Sequence, residues 1–258
     1  MREYSQQRPF STQRYIAALA VHLFTASSAV IGLLTLYAIY DHQFITALWL
    51  MGAAILIDAA DGSLARMVGV KKVMPHIDGA LMDNVLDYLN YVITPCFFLL
   101  VNGSMLADGW DFIIVSLIAL ASVYQFTQTD AKTPDHFFKG FPSYWNIIVI
   151  YLFIFQTSMM TNTIILITLV ILVFVPIKYV YPSRLDYLTE IAWLRKTMLF
   201  GSILYGVAIA GLLWFFPVTP LIFVIYSFAY IAFYLGFSLF RTYVPMLKLK
   251  RKLRESHE

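Results

Sequence analysis

Long apolar runs alternate with short polar connections along the whole chain. Eight runs, at roughly 17–40, 44–65, 79–101, 111–129, 144–159, 161–179, 198–216 and 219–240, approach the ~20 residues a helix needs to cross ~30 Å of hydrocarbon. The pattern predicts an all-α, polytopic membrane protein with about eight transmembrane helices. The fifth and sixth runs are divided only by the polar patch Gln156-Thr157-Ser158 to Thr161-Asn162-Thr163, so that boundary is the softest. Residues 1–16 predict an interfacial lead-in. They lack the pattern of a cleaved signal, because the apolar run that follows is too long and no small-residue cleavage site comes after it.

Composition agrees with the pattern: 60% of residues are apolar, 13% are charged and the mean hydropathy is +0.73. Charge adds an orientation. With eight spans, all 18 Lys and Arg residues fall on one side, together with both termini, and 241–258 forms a basic tail on that side. The other side holds Asp41, Asp108 and Asp111 without a basic residue. Positive residues stay cytoplasmic, so both termini and the connection after the second span are expected to face the cytoplasm. The formal net charge of +3 then marks a membrane surface and not nucleic acid. Cys96 is the single cysteine, which excludes an internal disulfide or a zinc–cysteine cluster, and no GxGxxG or GxxxxGK[ST] loop is present.

The candidate chemistry lies where two runs meet. Asp58 and Asp61 are three residues apart near the end of the second run, and Gly79, Asp83 and Asp87 repeat every four residues at the start of the third. Each set occupies one helix face. An ionised carboxylate at the centre of a spanning helix costs on the order of 2.5–3.5 kcal/mol, so four of them call for a compensating partner. Oxygen-only ligands suit a hard divalent cation such as Mg²⁺, Mn²⁺ or Ca²⁺. Small residues beside them, Gly62 and Ala65, leave room for a phosphate or nucleotide to approach the backbone, and Arg66 offers a planar fork for a phosphate oxygen. Asp87 lies about 12 Å below Gly79, which places the site just inside the membrane, where a lipid can meet a water-soluble molecule.

The run Asp58-x2-Asp61-Gly62-x2-Ala65-Arg66 … Gly79-x3-Asp83-x3-Asp87 resembles the signature of the CDP-alcohol phosphotransferases. These are integral membrane enzymes that move a substituted phosphoryl group from a CDP-linked donor to an alcohol and release CMP. The resemblance implies a six-helix catalytic core in a single domain, 1–258. It also implies a two-metal centre of Mn²⁺ or Mg²⁺ on Asp58, Asp61 and Asp83, with Asp87 as general base and further metal contact. Gly62, Ala65, Arg66 and Gly79 would shape the CDP site. The spacer Met67 to Asp78 is longer than in most of the family and resembles that of the bacterial phosphatidylcholine synthases. Val21 to Ser27, Asp135 to Asn146 and Lys178 to Arg184 are similar to that subgroup as well. The expected reaction is therefore transfer of the phosphatidyl group of CDP-diacylglycerol to choline in a bacterial inner membrane, by a multi-pass enzyme whose active site faces the cytoplasm. A homodimer is a further implication.

The outer parts of the site carry fainter signals. A quaternary ammonium is held by aromatic faces. Tyr144, Trp145 and Asn146, with Phe137, Phe138 and Phe141 before them and Asp130 and Asp135 upstream, are the candidate choline cage; an interfacial aromatic belt fits the same residues. Thr25 and Arg184 are candidates for the donor's cytidine or diphosphate, and His22 stands where the family often carries Asn. Serine, inositol or glycerol phosphate are alternative acceptors, serine asking for a basic partner such as Arg184 or Lys139. A divalent-cation transporter is the alternative from another class. Its substrate sites belong near the midplane on repeated, interrupted helices, a pattern absent here.

Overall fold

The first two helices form a tight antiparallel pair. α1 (Thr12–Tyr40) ends in a turn where His42 takes a left-handed conformation, φ 55°, and Gln43 N–H returns to Ala38 C=O at 2.8 Å. α2 (Phe44–Val68) then runs back and stops at Gly69, whose φ of 72° is a conformation glycine adopts without strain. In this computed structural model, residues 10–133, 137–180 and 192–255 are described, with the side chains of the last helix followed as far as Val244.

After one turn of helix, α3 (Val70–Val73), the chain re-enters the apolar layer through Asp78. Its carboxylate accepts the N–H groups of Ala80 and Leu81 at 3.1 and 3.0 Å and caps α4 (Gly79–Asp87). The helix continues through a π-helical turn, Tyr88–Ile93, into α5 (Thr94–Asn102), making one continuous span from Gly79 to Asn102. Pro95 lacks an N–H, so the preceding turn cannot keep the regular ladder, and a π turn absorbs the defect. Close packing on α1 fixes the register. A β-carbon at Gly32 would fall 2.7 Å from Leu89 Cδ2, and Asn90 Nδ2 donates to Ser28 Oγ at 2.7 Å.

α6 (Asp111–Thr127), α7 (Trp145–Ile154) and α8 (Met159–Phe174) complete the inner bundle around Phe98, Ile118, Trp145, Ile150 and Leu166, all fully buried. A long hairpin follows, α9 (Ala192–Phe215) and α10 (Leu221–Glu255). Between the helices, β1 (Phe137–Lys139) and β2 (Lys178–Val180) form a two-stranded antiparallel sheet with Phe138 opposite Tyr179.

The helices fall where the eight apolar runs predict them, with one difference of length. Among the described residues, five helices are long and apolar enough to cross a membrane, while α6, α8 and α7 have 17, 16 and 10 residues. The fifth expected span, 144–159, is the discrepancy, since ten residues rise only about 15 Å. Before α7 the backbone is irregular at Gly140 to Tyr144, and four of these residues, Gly140 to Ser143, are buried in protein. Gly140 N–H donates to Ile177 C=O and Phe141 N–H to Leu172 C=O, so this buried backbone is paired without a helix.

Candidate active site

The carboxylates converge because α2 and α4 present their acidic faces to each other. Carboxylate oxygens of Asp58, Asp83 and Asp87 all lie within 4.8 Å of one another, and each side chain is half-buried. Asp61 belongs to the same face but turns toward Thr25 of α1 and is largely buried beside the cluster. The structure thus groups three of the four expected carboxylates and keeps the fourth as a neighbour. Three like charges at this spacing, with oxygen donors only, fit the coordination of a hard divalent cation.

Tyr91 completes this wall. Its hydroxyl donates to Asp58 Oδ2 at 2.8 Å from a buried position in the π turn. The residue was missed by the sequence reading, although it stands four after Asp87 and extends the Gly79, Asp83, Asp87 series by one step.

The small residues divide. A β-carbon at Gly62 would crowd Arg66 Nη1 at 3.2 Å, so glycine there lets the guanidinium lie along the helix, where its other nitrogen reaches Ser63 Oγ at 3.0 Å. Arg66 is exposed at the helix end, open to an incoming phosphate. Gly79 faces His22, whose Cε1 would be 3.5 Å from an added β-carbon. His22 is buried and its Nε2 has no hydrogen-bond partner, an unpaired polar atom beside the start of α4. Ala65 packs instead with Ala18, Val21, Val70 and Val73, so its small size serves the contact of α2 with α1 and α3.

A cavity of about 190 Å³ opens from Asp58 and Asp87. Its walls include Tyr91, Gln125, Lys132, Phe138 and Tyr144. Tyr91 and Tyr144 lie 6.0 Å apart between ring centroids, and Phe138 meets Tyr144 edge-on at 6.3 Å. Lys132 stands over the Phe138 ring at 6.0 Å and acts electrostatically on Asp58, Asp83 and Asp87. On the other side of α4, a shallow apolar depression of about 360 Å³ runs between Ala26, Ala29, Leu81, Met82 and Val85, with Asp78 at its rim.

Of the described residues of the expected choline cage, the structure brings Tyr144 and Phe138 to this cavity. Trp145 is fully buried and its indole N–H donates to Ser122 Oγ at 2.8 Å, which makes it a packing residue of the bundle. Asn146 is buried as well, its Oδ1 accepting the Ile147 N–H at 2.8 Å. Asp130 is at the surface in an ion pair with Lys139 at 2.6 Å. The Lys139 hydrogen bond and charge hold the Asp130 carboxyl below its ordinary value, and the partnership raises Lys139. Lys139 is therefore engaged away from the cavity. Arg184 and Asp135 lie outside the described residues. The cavity residues missing from the sequence reading, Gln125 and Lys132, sit at a helix end and in a connection, where no period marks them.

A model of the CDP-alcohol phosphatidyltransferase family matches residues 18–175, a stretch that contains every carboxylate of the cluster. The chain belongs to that family. Among relatives, the phosphatidylcholine synthase of Legionella pneumophila is 56% identical over 242 residues, covering 94% of this chain and 95% of the relative. That of Legionella bozemanae is 56% identical over 217 residues, 84% of this chain and all of the relative. The phosphatidylcholine synthase of Rhizobium meliloti is 39% identical over 169 residues, 66% of this chain and 70% of the relative. This is consequently a multi-pass membrane protein of a transferase family, and the cation-transporter alternative loses its ground.

Proposed function

We propose that the protein is a phosphatidylcholine synthase, transferring the phosphatidyl group of CDP-diacylglycerol to choline. The observation that carries this reading is the opening of the carboxylate cluster, through Asp58 and Asp87, into a small, aromatic-walled cavity. Its volume is below that of ordinary drug-sized pockets, which suits a small acceptor and excludes a lipid from that space. The lipid end of the donor is assigned to the apolar depression along α1 and α4, reached from the bilayer. Relatives named phosphatidylcholine synthase support the acceptor.

Asp58, Asp83 and Asp87 would hold the divalent cation, Mn²⁺ or Mg²⁺, with Asp61 beside them as a candidate ligand for a second ion. Bound there, a divalent cation neutralises the charge that gathers on the diphosphate as its phosphorus–oxygen bond breaks. Asp87 faces the acceptor cavity and takes the proton of the choline hydroxyl; the oxygen bonds to the lipid-side phosphorus and CMP leaves with the electrons of the broken bond. Tyr91 holds the Asp58 carboxylate in place through its 2.8 Å hydrogen bond. Phe138, Tyr144 and Tyr91 offer ring faces to the trimethylammonium group, which has no N–H to donate. Arg66, with Gly62 and Gly79, is assigned to the CDP phosphates, and Thr25 to the donor side through Asp61.

Lys132 in the cavity wall favours one second reading, serine as acceptor, because an ammonium can bind the serine carboxylate. An inner-membrane location with the site toward the cytoplasm is proposed from the placement of all 18 basic residues on one side. One catalytic domain and, from the family resemblance, a homodimer are part of the same proposal; the mass of the purified protein in detergent tests the dimer. For the reaction, purified protein is supplied with CDP-diacylglycerol and Mn²⁺ and offered choline, serine, inositol or glycerol phosphate separately. Phosphatidylcholine and CMP from choline alone, abolished by EDTA, is the expected result. Turnover with serine in its place would overturn the acceptor assignment, and no CMP with any acceptor would overturn the reaction.

A further inference from the structure

Phe138 reaches the cavity because β1 alternates its side chains. Phe138 faces Tyr144 and the carboxylates, while its neighbour Phe137 is fully buried on the opposite side with Val180 and Met198, against Tyr234 and Phe237. The Arg241 guanidinium lies over the Phe137 ring at 5.1 Å. β1 has three residues and pairs with a strand of three, too little to hold a position unaided.

The missing support comes from α10. Tyr234, Ser238 and Thr242 are spaced four apart and line one face of that helix. Thr242 Oγ1 accepts the Lys178 N–H at 2.8 Å, Ser238 Oγ accepts the Val180 N–H at 3.3 Å, and the Tyr234 hydroxyl donates to Val180 C=O at 3.0 Å. Three side chains on successive turns of one helix thus grip the free edge of β2 at both ends. β2 in turn registers β1, Phe138 standing opposite Tyr179. Both β2 and the α9–α10 hairpin lie beyond residues 18–175, the stretch matched by the family.

We infer that the Tyr234–Ser238–Thr242 ladder is a positioning device for the acceptor pocket: the C-terminal hairpin sets where Phe138 stands and so how well a quaternary ammonium is held. The inference rests on the acceptor reading above. The ladder touches neither the carboxylate cluster nor the donor groove, so its loss acts on acceptor binding and spares the rest of the reaction.

The test uses the full-length protein in detergent with CDP-diacylglycerol and Mn²⁺, comparing wild type, the double variant Ser238→Ala with Thr242→Val, and Thr242→Ser. The double variant is expected to raise the choline KM about three- to tenfold, while kcat and the CDP-diacylglycerol KM stay within about twofold. Thr242→Ser keeps the hydroxyl and is expected to match wild type. A choline KM that does not move, or a donor KM that rises in parallel with it, overturns the inference. Failure of the acceptor reading is separate, because it is seen in the wild type as absence of phosphatidylcholine.

Discussion

The carboxylate wall of the site stands on α2 and α4, two spans whose register is locked by side chains inside the bundle, whereas the aromatic wall hangs on a connection and a three-residue strand. Asp58, Asp83 and Asp87 are placed by helical geometry and by the Asn90 bridge to Ser28. Phe138 and Lys132 are placed by a sheet and an isolated bridge to each other, both secured from α10 or from Gln125, whose Nε2 donates to Lys139 C=O at 3.0 Å. Chemistry common to a family suits the rigid wall, and choice of acceptor suits the wall that a few loop contacts can reshape.

That division is tested first where the effect is largest. Asp87→Asn preserves shape but removes the base and one metal contact, so single-turnover CMP release at saturating Mn²⁺ should slow by about 10²- to 10⁴-fold while CDP-diacylglycerol binding is retained. An effect confined to substrate binding would remove Asp87 from the chemistry. Next comes Tyr91→Phe, which deletes the hydrogen bond to Asp58. The Mn²⁺ concentration giving half-maximal activity should rise by about 10- to 100-fold with choline KM nearly constant, as for loss of a partner that orients a ligand. Phe138→Ala should do the reverse, raising choline KM about five- to twentyfold and leaving the metal requirement alone. The smallest effect belongs to Asp130→Asn, for which choline KM should stay within about twofold, an exposed ion pair contributing little. The Asp130 carboxyl is held below its ordinary value, so the pair is present at neutral pH and opens only as pH falls through that lowered value. The activity profile of the variant between about pH 6 and pH 8 should therefore overlay that of wild type.

The same contrast explains what could be seen in the chain itself. Apolar run length located the eight apolar helices of the described residues, and fourfold spacing located Asp83 and Asp87, because both follow from helix geometry. The shortness of α7 was hidden at its far end, since Phe155 prolongs the apolar run past Ile154 while Gln156, at φ 46°, turns the chain out of the helix. Trp145 and Tyr144 are adjacent aromatics that sequence cannot separate. One turns to Ser122 inside the bundle and the other to the cavity, a choice made by tertiary packing at the first turn of α7. Lys132 and Phe138 meet through a β-bridge, a pairing that no periodicity announces.

Asp58, Asp83 and Asp87 are proposed to act together as a divalent-metal centre. Electron paramagnetic resonance of Mn²⁺ titrated into the purified protein tests it without dependence on turnover. Wild type should bind Mn²⁺, and Asp58→Asn and Asp83→Asn should lose it while both variants are still extracted as folded protein. Mn²⁺ binding by either variant with wild-type affinity would contradict this proposal.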